Sequence, residues 1–303
     1  MTDTPETFLD YARRGRSRHW FRWIATGIVA IVFALVLQII VFVALAAWLC
    51  LHQGLQVQAA LQKLLELAEK PTNPPVFFLL AGVLFGCYLV GLWLAARLIQ
   101  NKRFGDLIGR WRWDLFVLGA VIWMVLVAAG TAVDWFIAPK GFTLTLSAAT
   151  LPLAAAAIAG LSVQTFTEEF IFRGWVAQGW LLATKNPVAT AILAALMFGS
   201  VHLSNPPDGL LAAASATVFG FATTLIAIRT RSLAFGFGMH LANNFWDGVV
   251  VVSTNDVFKG APGIFTQHTN GLAWSDVGVE AVCLALVTVL VYARTRPIIP
   301  KQG

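Results

Sequence analysis

Charge is what this chain has least of. Only 12% of its 303 residues are Asp, Glu, Lys or Arg, about half the share found in an average soluble domain. Together with 58% hydrophobic residues and a mean hydropathy of +0.75, that scarcity excludes a soluble globular protein and assigns most of the chain to lipid. Cysteine is scarce as well. Cys50, Cys87 and Cys283 stand far apart, each in or beside an apolar run, so neither a disulfide framework nor a thiolate metal site has support. They read as small apolar residues facing neighbouring helices. Internal repeats, low-complexity tracts and a separable soluble domain are all missing. The formal net charge is +6, but the basic residues cluster at the ends of apolar runs. That is the pattern of topology signals and not of a nucleic-acid groove, so no nucleic-acid partner is expected.

What is abundant is apolar sequence in long runs. A spanning helix needs about 20 mostly apolar residues. Runs at 24–50, 76–98, 114–138, 150–183, 187–203, 209–228, 231–252 and 276–292 qualify. The first is too long for a signal-peptide core and lacks a small-residue cleavage site, so it reads as a retained helix. The fourth exceeds a single crossing and is expected to tilt, kink or extend past the bilayer. The fold class is therefore all-α, a polytopic transmembrane helix bundle of eight spans.

Basic residues set its orientation. With eight spans, sixteen Lys and Arg fall on the side of both termini and four, Lys63, Lys70, Lys140 and Lys259, on the other, while Arg173 stays in the membrane. The rich side is cytoplasmic. Segment 51–70, with Leu55, Val57, Leu61, Leu64, Leu65 and Leu67 among polar residues, predicts an amphipathic helix at the outer surface. Residues 253–275 read as an extramembrane loop. Gly82 with Gly86, and Gly236 with Gly238, let helices approach closely. Trp20, Trp23, Trp111, Trp113, Trp135 and Trp274 read as interfacial anchors. Lipids are one expected partner, and short loops suit a bacterial plasma membrane.

Ionisable groups inside spans are costly and mark function. The fourth run carries Glu168, Glu169 and Arg173, the fifth Phe198 and His202, and the seventh His240, Asn243 and Asn244. Glu169 and Arg173 are four apart on one helix face and can pair. That leaves Glu168, turned about 100° away, free for other work. His240 and Asn244 also share a face, and all these residues lie at comparable depth. A carboxylate beside an imidazole can hold a water and remove its proton. A second imidazole and a carboxamide can donate to a developing oxyanion. Base, water and oxyanion donors make a hydrolase of acyl bonds, and no Ser or Cys stands in a nucleophile context. Asp247 is expected to line the same cavity or support the fold, Asp134 and Glu280 to be interfacial, and His19, His52 and His268 to be solvated.

At these residues the chain resembles the CPBP family of intramembrane proteases, also called the Abi family, which includes the type II CAAX prenyl endopeptidases. The family pattern is Glu-Glu-x-x-x-Arg, Phe-x-x-x-His and His-x-x-x-Asn. Here it is met by Glu168 to Arg173, Phe198 to His202 and His240 to Asn244. The resemblance implies a catalytic core at 150–255, preceded by a basic segment, three helices and an interfacial helix at 1–149. A loop, the last helix and a cytoplasmic tail at 256–303 would follow.

By analogy, Glu168 and His202 would activate water, His240 and Asn244 would hold the oxyanion, and Glu169 and Arg173 would support them. The substrate would be a membrane-associated or prenylated, CAAX-like peptide, and no cofactor is expected. Glu168, His202 and His240 could alternatively bind zinc, although the His-Glu-x-x-His spacing is absent. Three rival classes use the same residues: a proton-coupled transporter, for which inverted repeats are lacking, an immunity or scaffold protein descended from the protease, and a hydrogen-bond network that only fixes packing.

Overall fold

The computed structural model describes residues 7–69, 73–269 and 271–295; Lys70, Arg296 and Lys301 of the charge count lie outside them. Twelve α-helices make up the described chain: α1 (Phe8–Arg13), α2 (Trp20–Gln53), α3 (Val57–Glu69), α4 (Pro74–Ala95), α5 (Phe104–Ile108), α6 (Trp113–Ile137), α7 (Thr150–Glu169), α8 (Ala177–Thr184), α9 (Pro187–Ser200), α10 (Gly209–Thr230), α11 (Ala234–Phe245) and α12 (Trp274–Arg294). The protein is an all-α helix bundle. Its helix starts follow from local chemistry. Asn73, Asn186 and Asp208 each turn a side-chain oxygen onto a backbone N–H of the first turn, and Pro stands at the start of α4 and α9.

Two layers of loops bracket the bundle. In one, Arg14 pairs with Asp106, and Gly109 bridges Ser232. In the other, β1 (Phe142–Leu144), β3 (Phe265–Gln267) and β2 (Val251–Ser253) form a three-stranded sheet in the order β1-β3-β2. That sheet was not foreseen, because its strands have three residues each and none carries an alternating pattern of its own.

Six passages, Trp20–Gln53, Pro74–Gln100, Trp113–Ile137, Thr150–Thr184, Gly209–Thr230 and Trp274–Arg294, are long and apolar enough to cross a membrane. The protein is integral to the membrane. Two further runs of the expected eight form helices that fall short of that length. α9 has 14 residues, roughly 21 Å at 1.5 Å each, and α11 has 12 before a five-residue π-helical turn. Residues Ala234 to His240 of α11 are all buried, so this helix sits within protein. Its length is therefore not set by the lipid.

The fourth run departs from a simple helix as expected, and the cause is specific. A π-helical segment, Phe170–Val176, joins α7 to α8 immediately after Glu169. Such insertions bend a helix and recur at functional sites. Close packing holds this rod in place. A Cβ on Gly160 of α7 would lie 1.9 Å from the Phe78 carbonyl of α4, and one on Gly82 would lie 2.7 Å from the Gly160 Cα. Gly86, by contrast, meets Val163 at an ordinary 3.6 Å.

The lipid-facing surface is read from exposed apolar residues. Ile28, Ile31, Leu35 and Ile39 of α2, and Val279, Val282, Leu286 and Val289 of α12, point outward. Within the expected amphipathic segment, residues 51–53 close α2 and Val57–Glu69 forms a separate helix, with Ala60 and Leu64 packed on Ala46 and Leu49 of α2. Two of the six tryptophans are not surface anchors. Trp23 packs on the Trp175 ring and donates to the Ser17 carbonyl at 2.9 Å, and Trp111 packs among Phe166 and Phe237.

Candidate active site

The site begins where α7 ends. Gln164 and Glu168 lie one turn apart and face the same way, so the Gln164 amide donates to Glu168 Oε1 at 2.6 Å. The other end of Gln164 accepts from Asn244 Nδ2 of α11 at 3.0 Å. Glu169 projects about 100° further around the rod, where Arg173 Nη1 lies 3.2 Å from its Oε1. Both members of that pair are almost wholly buried. Arg173 also donates from Nε to Thr223 Oγ1 of α10 at 3.0 Å, and its guanidinium lies 4.1 Å from the Phe198 ring centroid. An aromatic face, a carboxylate and a hydroxyl thus receive the buried cation.

His240 of α11 links the two glutamates. Its Nδ1 is 3.0 Å from Glu169 Oε1 and its Nε2 is 3.4 Å from Glu168 Oε2. Edge-on contacts to Phe198 and Phe219, with centroids 6.0 and 5.3 Å away, fix the ring. Gly236, one turn earlier, is what allows this approach: a Cβ there would stand 2.9 Å from Glu169 Oε2. Gly238 performs the same service against α6, where a Cβ would meet the Phe116 carbonyl at 2.1 Å.

Five of the six expected site residues are therefore brought together: Glu168, Glu169, Arg173, His240 and Asn244. His202 stands apart. α9 ends at Ser200, so His202 lies in the following turn and not within a span. Its Nδ1 is 2.8 Å from the Phe198 carbonyl and its ring packs on Phe198 with centroids 4.6 Å apart. It makes no direct hydrogen bond to Glu168; the histidine that reaches Glu168 is His240. Among the described residues no three His, Cys, Asp or Glu side chains are grouped to hold a metal ion.

The remaining polar residues sort clearly. Asp247 accepts from Asn243 at 3.1 Å, and Asn243 accepts from Trp123 Nε1 at 2.9 Å and donates to Asn244 Oδ1 at 3.3 Å, so this group joins the site at Asn244 and not at Glu168. Asp134 is exposed and touches Gln267 beside the sheet, as an interfacial residue should. Glu280 is half-buried instead, accepting from Ser215 of α10 at 2.6 Å, because α12 packs that turn against α10. His19, His52 and His268 are exposed. Gln164 and Thr223 are the residues that sequence reasoning missed. Gln164 carried a usable signal, being a polar amide inside a span, four residues before Glu168.

Glu168 Oε2 is buried and has no hydrogen-bond partner, while Gln164 holds the sister oxygen. Glu169 Oε2 is also unpartnered, but Glu169 is fully buried and engaged on its other oxygen, whereas Glu168 retains 8% exposure.

Comparison with known proteins agrees in kind. Residues 149–246 match the family described as type II CAAX prenyl endopeptidase, Rce1-like. The chain is also 28% identical over 240 residues to the uncharacterized protein YyaK of Bacillus subtilis (strain 168), covering 77% of this chain and 80% of that protein. No solved structure matches. With its glutamates, arginine and α11 histidine inside the matched segment, this membrane protein carries an Rce1-like, type II CAAX prenyl endopeptidase domain, consistent with the CPBP family that its sequence resembles.

Proposed function

We propose that the protein is an intramembrane endopeptidase of the glutamic type, cleaving membrane-associated or prenylated, CAAX-like peptides at the plasma membrane of a bacterium. The observation that carries this reading is the unpartnered, buried Glu168 Oε2 beside His240 Nε2 at 3.4 Å. In a low-dielectric site a carboxylate oxygen with no donor of its own is available to take a proton from water.

The steps balance without a metal. Glu168 removes a proton from a water whose oxygen attacks the scissile carbonyl carbon. The carbonyl π electrons move to oxygen, and His240 N–H and the second amide hydrogen of Asn244 donate to that oxyanion. The first Asn244 hydrogen is engaged by Gln164. Collapse breaks the C–N bond, and the proton on Glu168 passes to the leaving amine. Glu169 accepts from His240 Nδ1–H and so fixes the ring, which serves the oxyanion from Nε2–H as the imidazolium, and Arg173 balances the Glu169 charge. His202 of the turn after α9 would complete water binding on substrate entry, since apo geometry is often looser than that of the loaded site.

The test is cleavage of a farnesylated peptide ending in a CAAX sequence by the purified protein in liposomes, with products identified by mass spectrometry. Release of the C-terminal tripeptide is the expected result. Absence of hydrolysis for farnesylated and unmodified membrane peptides alike would remove the protease reading.

A further inference from the structure

We propose that Arg14, Arg97 and Arg103 form a cradle for a phosphate group at the end of the bundle that holds α1 and α5, with the headgroup of an anionic phospholipid as its natural source. These residues, with Gly15, Asn101 and Asp106, line a hollow of about 460 Å³. It lies away from the glutamate–histidine cluster and shares no residue with it.

Three sequence-distant segments build the cradle. Arg14 and Gly15 follow α1, Arg97 and Asn101 come from the π-helical end of the second long passage, and Arg103 and Asp106 come from the start of α5. Their convergence is enforced by backbone contact. Gly15 has a positive φ of 73°, and a Cβ there would stand 2.2 Å from the Gln100 carbonyl oxygen and 3.0 Å from that of Asn101. Arg16 N–H donates to the same Gln100 oxygen. Basic residues serving only as topology signals need a loop on the right side of the membrane; they do not need to meet around one hollow.

The charges do not cancel. Among the described residues Asp106 is the only carboxylate in the lining, and both of its oxygens are engaged: Oδ1 with Arg14 Nη1 at 2.8 Å, and Oδ2 with the Arg103 backbone N–H at 2.8 Å. Arg97 donates to a neutral acceptor, Asn101 Oδ1, at 2.9 Å. Among the described residues neither Arg97 nor Arg103 has a carboxylate partner. Two exposed guanidiniums facing a hollow are therefore left over, and a phosphate presents oxygens that a guanidinium fork matches.

The surroundings select a lipid. Leu98, next to Arg97 in the chain, is 67% exposed, so an apolar surface adjoins the cradle at the end of a passage long and apolar enough to cross a membrane. Acyl chains can lie on that surface while the phosphate sits among the arginines, the arrangement expected of basic pockets between helix ends.

The experiment uses the full chain in detergent, with phosphatidylglycerol, phosphatidylcholine or inorganic phosphate added. Thermal melting and native mass spectrometry are the readouts, for the parent and for Arg97→Gln/Arg103→Gln. Phosphatidylglycerol should bind and raise the melting temperature, while phosphatidylcholine should not. The double variant should melt like the parent without lipid and bind phosphatidylglycerol roughly thirtyfold more weakly, as two interfacial basic residues imply. An equal shift from inorganic phosphate, lost in the double variant, would support the cradle and make free phosphate its source. Equal phosphatidylglycerol binding by parent and variant, or none by the parent, would overturn it. Should the double variant not fold, the single Arg103→Gln variant is read by the same two criteria.

Discussion

Gln164 holds Glu168 and Asn244 at once, donating to the carboxylate at 2.6 Å and accepting from the carboxamide at 3.0 Å. That side chain sets which Glu168 oxygen stays open and, together with Asn243 Nδ2 at Asn244 Oδ1, which way the Asn244 amide faces. Gln164→Met keeps length and removes both bonds. A lost hydrogen bond to a charged group is worth about 1.5–3 kcal/mol, so kcat is expected to fall roughly tenfold to a hundredfold with KM and melting temperature little changed. A change confined to KM would place Gln164 in substrate binding instead.

The Glu169–Arg173 pair at 3.2 Å is buried on both sides. Removing one partner of such a pair costs about 3–5 kcal/mol because the other charge stays buried alone. Arg173→Ala is expected to lose folded protein as well as activity, measured by detergent size-exclusion yield and melting. A variant that folds and melts like the parent would show that the pair contributes nothing to stability.

Gly236 admits no side chain without displacing Glu169, its Cβ position being 2.9 Å from Oε2. Gly236→Ala should therefore lower activity by disturbing the Glu169–His240 contact, with a smaller loss of stability than Arg173→Ala. Activity equal to the parent would mean that Glu169 can shift freely.

Lys102, outside the spans, is fully buried and donates to the carbonyls of Tyr11 and Ala12 and to Gln178 Oε1, tying α1 to α8. Burial pushes its pKa down to about 8, below the ordinary value of about 10.4. Between those values the unfolded chain binds more protons than the folded one, so stability rises as pH increases from about 8 to about 10.4. Melting at pH 7.5 to 10 should show this rise in the parent and a weaker one in Lys102→Met. Identical slopes would contradict the assignment.

Much of this was legible in the sequence for a definite reason. In lipid each charged group is expensive, so Glu168, Glu169, Arg173 and His240 stood out against an apolar background, and helical spacing alone paired Glu169 with Arg173. What was not legible depends on departures from regular helix. α9 stops at Ser200, leaving His202 in a turn, and depth counted along an ideal helix matched it with Glu168 when His240 makes that contact. The three-residue strands gain their order only from one another. Both termini on the cytoplasmic side with eight crossings remains a proposal that reporter fusions at the N-terminus and at 204–208 would test: opposite sides are expected, and the same side would contradict it.

In the proposed mechanism Glu168 is a base that needs no metal. Glu168→Gln preserves shape and hydrogen bonding but cannot take a proton. The direct measurement is the rate of farnesyl-peptide hydrolysis by parent and Glu168→Gln protein in liposomes, before and after exhaustive chelation. A folded Glu168→Gln protein slowed by about 10²–10⁴-fold, with the parent unaffected by chelation, is the predicted result. Full activity in Glu168→Gln, or parent activity lost to chelation and restored by zinc, would contradict it.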